Sequence, residues 1–223
     1  MLYRTPPEGQ EAIRVHFERQ IKRIQRDVLR MGALVERSCC LAREALFERN
    51  IAAAEQIHKQ DKKIDRLYKQ IELDCVNLIA LQSPVAQDLR LLSALMQLVR
   101  DLERIGDYAK NLGDVAIRLF PYPESPYRDQ IRQMFDRCRA MLALSLESLS
   151  DLNADLALDV RQRDDAVDAD YETLYNLLAC QRDVKGAIEP IVLQVLVIRH
   201  LERIADHSAN IGKRVAYIVT GKR

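Results

Sequence analysis

Carboxylates spaced four residues apart recur along this chain where a packed helix should be apolar. Asp61 is followed by Asp65, and Glu103 by Asp107 and Asn111; later Asp164 is followed by Asp168, and Glu202 by Asp206 and Asn210. Residues i and i+4 share one face of a helix, and two like charges there repel unless a cation or a proton lies between them. The stripe 54, 57, 61, 64, 68, 71, 75, 78 is apolar or aromatic except at Asp61, and the matching later stripe is broken only by Asp164. A lone carboxylate on a core face costs roughly several kcal/mol, so something has to satisfy it. If the helix with Asp61 and Asp65 packs antiparallel to the one with Glu103, Asp107 and Asn111, four carboxylates and an amide converge. Oxygen-rich sites of this kind suit hard or borderline cations such as Mg²⁺, Mn²⁺, iron or Zn²⁺. Carboxylates about 4–6 Å apart repel by a few kcal/mol near a protein surface. Binding a cation relieves that repulsion and adds direct ligation, whereas protonation at pH 7 would need strongly raised pKa values. The spacing therefore predicts one cation between Asp61, Asp65, Glu103 and Asp107, and an analogous one between Asp164, Asp168, Glu202 and Asp206. The competing account is a solvated face laced with i, i+3 ion pairs, Arg100 to Glu103 and Arg104 to Asp107. Four copies at equivalent positions, two of them interrupting a core stripe, weigh against it.

Other chemistry-bearing residues carry less. Glu55 and His58 form one ExxH, and the absence of a second excludes a ferritin-like di-iron centre. His58 is a candidate extra ligand three residues before Asp61, with exposed filler the stronger reading. His207, beside Asp206, has Tyr108 as its counterpart, so the pattern does not require it. The five cysteines (39, 40, 75, 138, 180) are odd in number and include no CxxC, which excludes a disulfide framework and a zinc site and favours reduced thiols in the cytosol. No P-loop, GxGxxG or GxSxG occurs.

Six helices must position these carboxylates. From about Glu11 to Arg49 apolar or small residues recur in steps of four and three, the mark of a long packed helix. A second helix follows an Asn50 cap and runs to about Leu81; Ser83-Pro84 breaks the chain and a third runs to Leu119. Residues 120–127 read FPYPESPY, the one strong linker. Three more helices follow: about Tyr127 to Leu152, then from an Asn153 cap to about Cys180, then from near Pro190 to before Gly221.

The two halves are copies. Offset by 99 residues, LVRDLERIGDYAKNLGDVAIRL (98–119) matches VIRHLERIADHSANIGKRVAYI (197–218) at 8 of 22 positions. Offset by 103, Ala54, Ile57, Asp61, Ile64, Tyr68 and Ile71 meet Ala157, Val160, Asp164, Val167, Tyr171 and Leu174. The expected architecture is all-α: two tandem three-helix bundles, an internal duplication, over residues 1–119 (residues 1–10 disordered) and 128–223, joined by the linker 120–127.

Composition agrees. Lys and Arg number 34 against 33 Asp and Glu, a net charge of +1, so no global field steers nucleic acid or an anionic membrane. The longest near-apolar run, Ile191 to Ile198, is too short to span a bilayer, and Met1 to His16 lacks an apolar signal core. A cytoplasmic protein without membrane insertion or nucleic-acid binding is expected.

The paired strings LERIGDYAKN and LERIADHSAN resemble the signature of the PhoU family, bacterial regulators of phosphate transport and phosphate signalling. QDKKIDRLY (60–68), SPVAQDLR (83–90) and YIVTGK (217–222) resemble it too, so the likeness spans nearly the whole chain. It implies tandem three-helix bundles, some members carrying multinuclear metal clusters on (E/D)xxxD motifs and others seen without metal. By position it adds Asn111 and Asn210 to the metal ligands. It further implies a negative regulator acting on the phosphate ABC transporter ATPase PstB and the sensor kinase PhoR. Apart from the resemblance, a homodimer is a candidate assembly. Two departures set the second half apart: Ala205 stands where the first half has Gly106, and RDVKGAIEP (182–190) has lost the SPVAQDLR pattern. The expected function is a non-enzymatic regulator of phosphate uptake and phosphate-starvation signalling. The alternatives are a metal-dependent hydrolase using the clustered carboxylates, or a purely structural helical scaffold.

Overall fold

The computed structural model describes residues 8–181 and 186–222. They form six helices, α1 (Glu8–Glu48), α2 (Ile51–Gln82), α3 (Ala86–Leu119), α4 (Arg128–Asp151), α5 (Ala154–Ala179) and α6 (Glu189–Thr220), and no strand among the described residues. The protein is all-α. Residues 1–7 of the segment expected to be disordered lie outside the described residues, and residues 8–10 are the first turn of α1. The local signals act where the sequence places them. The Asn50 side chain accepts from the Ala53 N–H, and Asn153 accepts from Asp155 and Leu156, satisfying amides that a helix start leaves free. Ser83 turns into the left-handed region at φ 42° and donates its N–H to Ile79, closing α2 just before Pro84.

Each bundle packs its three helices against one another, and the bundles meet through α1 on α4 and α3 on α6. These four helices form the middle of the molecule, with α2 and α5 outermost. Buried positions 28, 31, 35, 38, 42 and 45 of α1 match buried positions 131, 134, 138, 141, 145 and 148 of α4 at an offset of 103. The first and fourth helices therefore present the same face to their own bundles.

The contact of α3 with α6 is antiparallel along its whole length. Asp101 meets His207 at 2.9 Å, the Tyr108 ring lies 5.7 Å from that of His200, and Arg118 pairs with Glu189 at 2.7 Å. At the far end Gly221 (φ 72°) packs on the Arg90 guanidinium. With the 99 offset, Asp101 corresponds to His200 and Tyr108 to His207. The cross-contacts 101·207 and 108·200 are thus related by an approximate twofold axis, the geometry of a homodimer made within one chain.

Glycines set the distance between α2 and α3, and between α5 and α6. A Cβ on Gly212 would sit 2.8 Å from the Ala157 carbonyl oxygen, while one on Gly106 would meet side chains alone, nearest the tip of Ile64 at 3.2 Å. In the second bundle Ala205 takes the Gly106 position opposite Val167, one methylene smaller than Ile64, so the extra methyl is offset. Gly212→Ala is expected to cost about 2 kcal/mol, roughly 4–8 °C in melting temperature. Gly106→Ala should be near neutral, because better helix propensity, worth about 1 kcal/mol, offsets a small shift of Ile64. Thermal unfolding followed by circular dichroism decides it; a larger loss at Gly106 would overturn this account of the spacing.

Candidate functional site

The groove between α2 and α3 holds the first carboxylate group. Asp61 projects from the α2 core stripe and is 9% exposed. What satisfies it is a side chain of α3: Lys110 Nζ donates to Asp61 Oδ2 at 2.8 Å and to Asp107 Oδ1 at 3.0 Å. Burial alone would lower the Lys110 pKa, but its hydrogen bonds to Asp61 and Asp107 raise it above the ordinary lysine value. Asp65 is pushed up by burial and by Asp61, with Lys110 opposing; Glu103 is pushed up by burial and by Asp107, with Arg104 opposing. Arg104 lies 3.6 Å from Asp107 and 3.7 Å from Glu103. Asn111 is half-buried one helical turn beyond Asp107.

The equivalent groove between α5 and α6 is wired differently. Arg199 lies 2.9 Å from Glu202 and Arg203 2.7 Å from Asp206. Of the i, i+3 ion pairs in the competing account, Arg104 to Asp107 forms on α3, and the equivalents of both pairs form on α6. Among the described residues no lysine hydrogen-bonds Asp164 or Asp168: Lys110 has Ala209 as its counterpart, and Lys213 Nζ donates instead to Asn210 at 3.3 Å. Asp164 Oδ1 is buried and has no hydrogen-bond partner among the described residues. Burial, then Asp168 and Asp206, raise the Asp164 pKa to about 6, with Lys213 opposing. Asp168 and Glu202 are raised too, in each case by burial first and Asp206 next.

Among the described residues no three His, Cys, Asp or Glu side chains converge to hold a metal ion. The structure thus brings Asp61 and Asp107 together on an ammonium with which neither Asp65 nor Glu103 forms an ion pair. In the first bundle Lys110 stands between the two carboxylates; in the second, Arg199 and Arg203 pair with Glu202 and Asp206, and Asp164 and Asp168 have no ion-pair partner among the described residues. His58 pairs with Asp114 at 2.9 Å rather than joining the carboxylates, and Glu55 is exposed.

Sequence reasoning passed over two features. One is Lys110, three residues past Asp107, whose signal was its replacement by Ala209 in the copy. The other is the contact between bundles, where Asp101, only 8% exposed, meets His207, with the Tyr108 ring stacked on His207 at 5.8 Å. His200 beside Tyr108 is held below its ordinary pKa by burial.

Comparison with known proteins decides the family. The PhoU domain matches this sequence twice, over residues 28–116 and 131–215, one match per bundle. The chain belongs to the PhoU family. A phosphate-specific transport system accessory protein PhoU homolog of Synechocystis sp. is 54% identical over 210 residues, covering 94% of each chain. A PhoU homolog of Pseudomonas putida is 35% identical over 207 residues, covering 92% of this chain and 81% of its own. The crystal structure of PhoU from Pseudomonas aeruginosa superposes with a TM-score of 0.89 at 34% identity, covering 92% of this chain and all of that one. The phosphate transport system regulatory protein PhoU from Streptococcus pneumoniae superposes with a TM-score of 0.85 at 29% identity, over 92% of this chain. The PhoU repeat boundaries keep both offsets, since 28 to 131 is 103 residues and 116 to 215 is 99.

Equivalent aspartates should respond oppositely to loss of charge in chelator-treated protein. Asp61→Asn removes a buried, charge-assisted partner of Lys110 and is expected to cost about 1–2 kcal/mol. Asp164→Asn removes an unneutralised charge. After discounting for its half-exposure the gain at pH 7.5 is about 1 kcal/mol, or roughly 2–4 °C. Because the folded-state pKa lies above the unfolded one, Asp164 favours folding only when protonated. That contribution is present below pH 4 and is lost as pH rises through 6, so the Asp164→Asn gain should vanish in acid. Melting curves of the two variants between pH 4 and 8 check this; a shift of the same sign at both positions would refute it.

Proposed function

We propose that this protein is a non-enzymatic regulator of phosphate uptake and phosphate-starvation signalling, working in the cytoplasm as a negative regulator. The observation that carries the reading is the match of both bundles, across nearly the whole chain, to relatives named as accessory and regulatory proteins of phosphate transport. PstB and PhoR are the proposed partners. No helix among the described residues is long and apolar enough to cross a membrane, so the chain would meet them from the aqueous side.

The shape supports docking rather than turnover. Exposed apolar side chains gather at the turn between α2 and α3, where Leu81 is 79% and Val85 75% exposed, and at the start of α6, where Ile188 and Val192 are exposed. Apolar residues grouped at helix ends offer footholds for a partner. The proposed cation belongs to the α5–α6 groove, where Asp164, Asp168, Glu202, Asp206 and Asn210 would have to close on it. When bound, it would supply the positive charge that the Asp164 end of this groove lacks and tie α5 to α6. Arg199 and Arg203 already pair with Glu202 and Asp206, so a cation would share those carboxylates with them.

Deleting the gene is the direct test. Loss of this chain should leave phosphate-starvation genes expressed in phosphate-rich medium, and the full chain supplied in trans should restore repression. Normal repression in the deletion strain would overturn the reading. So would a phosphoesterase activity of the purified protein that Asp206→Ala abolishes, since the carboxylates would then serve a reaction.

A further inference from the structure

We infer that Lys110 is the resident cation of the first carboxylate site, so that the first bundle is metal-independent and any metal capacity of this chain is confined to the second. The case rests on position and replacement. Lys110 Nζ sits between a carboxylate of α2 and one of α3, 2.8 Å from Asp61 and 3.0 Å from Asp107. A cation joining the two helices would have to occupy this place, and the ammonium does so with its own covalent tether. Being tethered, it needs no supply from solution and cannot be removed by a chelator. A second cation entering the groove would meet a fixed positive charge about 3 Å from the oxygens it must ligate, and repulsion at that range is strong even at the dielectric of a protein surface.

The second bundle is the internal control. Asp164 holds the place of Asp61 and Asp206 that of Asp107, but Ala209 holds that of Lys110. Among the described residues no ammonium takes its place on Asp164: Lys213 donates to Asn210 and acts on Asp164 only from a distance, Arg199 and Arg203 pair with the α6 carboxylates, and Asp164 Oδ1 is left without a hydrogen-bond partner. The duplicated unit has thus split into one bundle neutralised from within and one open to neutralisation from solution. The first bundle would keep α2 and α3 docked whatever the metal supply, while the docking of α5 on α6 would follow it.

This inference deepens the cation reading above, and the experiment separates the two. Mn²⁺ binding is measured by titration calorimetry and by elemental analysis on wild type and on Asp164→Asn/Asp168→Asn, the latter also combined with Lys110→Ala. Wild type should bind Mn²⁺, and Asp164→Asn/Asp168→Asn should bind none. Adding Lys110→Ala should restore a site, with affinity for the first bundle raised roughly tenfold or more, equal to about 1.4 kcal/mol; Asp61→Asn should abolish it again. Should Lys110→Ala fail to fold, judged by helical circular dichroism, Lys110→Met keeps the apolar stem and removes the same charge. The inference is overturned if Asp164→Asn/Asp168→Asn still binds Mn²⁺ in a manner sensitive to Asp61→Asn, or if removing the Lys110 charge brings no gain. Absence of binding to wild type sinks only the proposed second-bundle site, because the Lys110 substitution still reports on the first.

Discussion

The antiparallel contact of α3 with α6 buries a second face on two helices that already serve as core elements of their own bundles. It explains why buried residues on α3 run almost continuously from Leu92 to Ala116 rather than along one stripe. It also fixes where the functional groups can lie. With one face turned to the partner bundle and one to the helix before it, the α3 positions 103, 107 and 110 are left facing α2, and their α6 counterparts face α5. The carboxylate grooves therefore sit on the flanks of the molecule, each between one central and one outer helix. Loosening α3 from α6 would disturb both grooves at once.

Most of this architecture is legible in the sequence because it rests on periodicity. Heptad-like spacing, two asparagine caps, the Ser83-Pro84 break and the proline-rich linker mark six helices, and the two offsets mark the duplication. Asp61 is also legible, since a carboxylate on an apolar stripe must be accounted for. Its counter-ion is not. Lys110 lies in a run of polar and small residues where a lysine normally faces water, and only the packing of α2 on α3 shows that its ammonium turns inward. The contact between bundles is hidden for a related reason. Asp101 is buried and His207 half-buried by a second layer of packing, and a matched polar pair looks in sequence like an ordinary solvated surface. Patterns of apolar residues reveal the core within each bundle, but not the polar seam between them.

The duplication has kept the fold of each bundle while letting its electrostatics diverge. Glycines 113 and 212 hold equivalent close approaches, to Ile57 and Ala54 in one bundle and to Val160 and Ala157 in the other. Backbone spacing is shared, and charge is not. Exchanging lysine for alanine at one position changes what the same carboxylates require, because the aspartate holds its place in the helix stripe either way, buried in α2 and half-buried in α5. Holding geometry constant while altering one counter-ion is a small change in sequence with a large effect on how a groove responds to its surroundings.

The approximate twofold axis between the bundles has a consequence for how the chain recognises itself. Two copies of the first bundle joined in this way would set Asp101 against Tyr108 twice. Two copies of the second would set His200 against His207 twice. Only the unlike combination matches an acid with a base and one ring with another. Each bundle is thus shaped to prefer the other over its own twin. A newly made chain that holds both bundles on one short linker finds its complement within itself, and a neighbouring chain has no better half to offer.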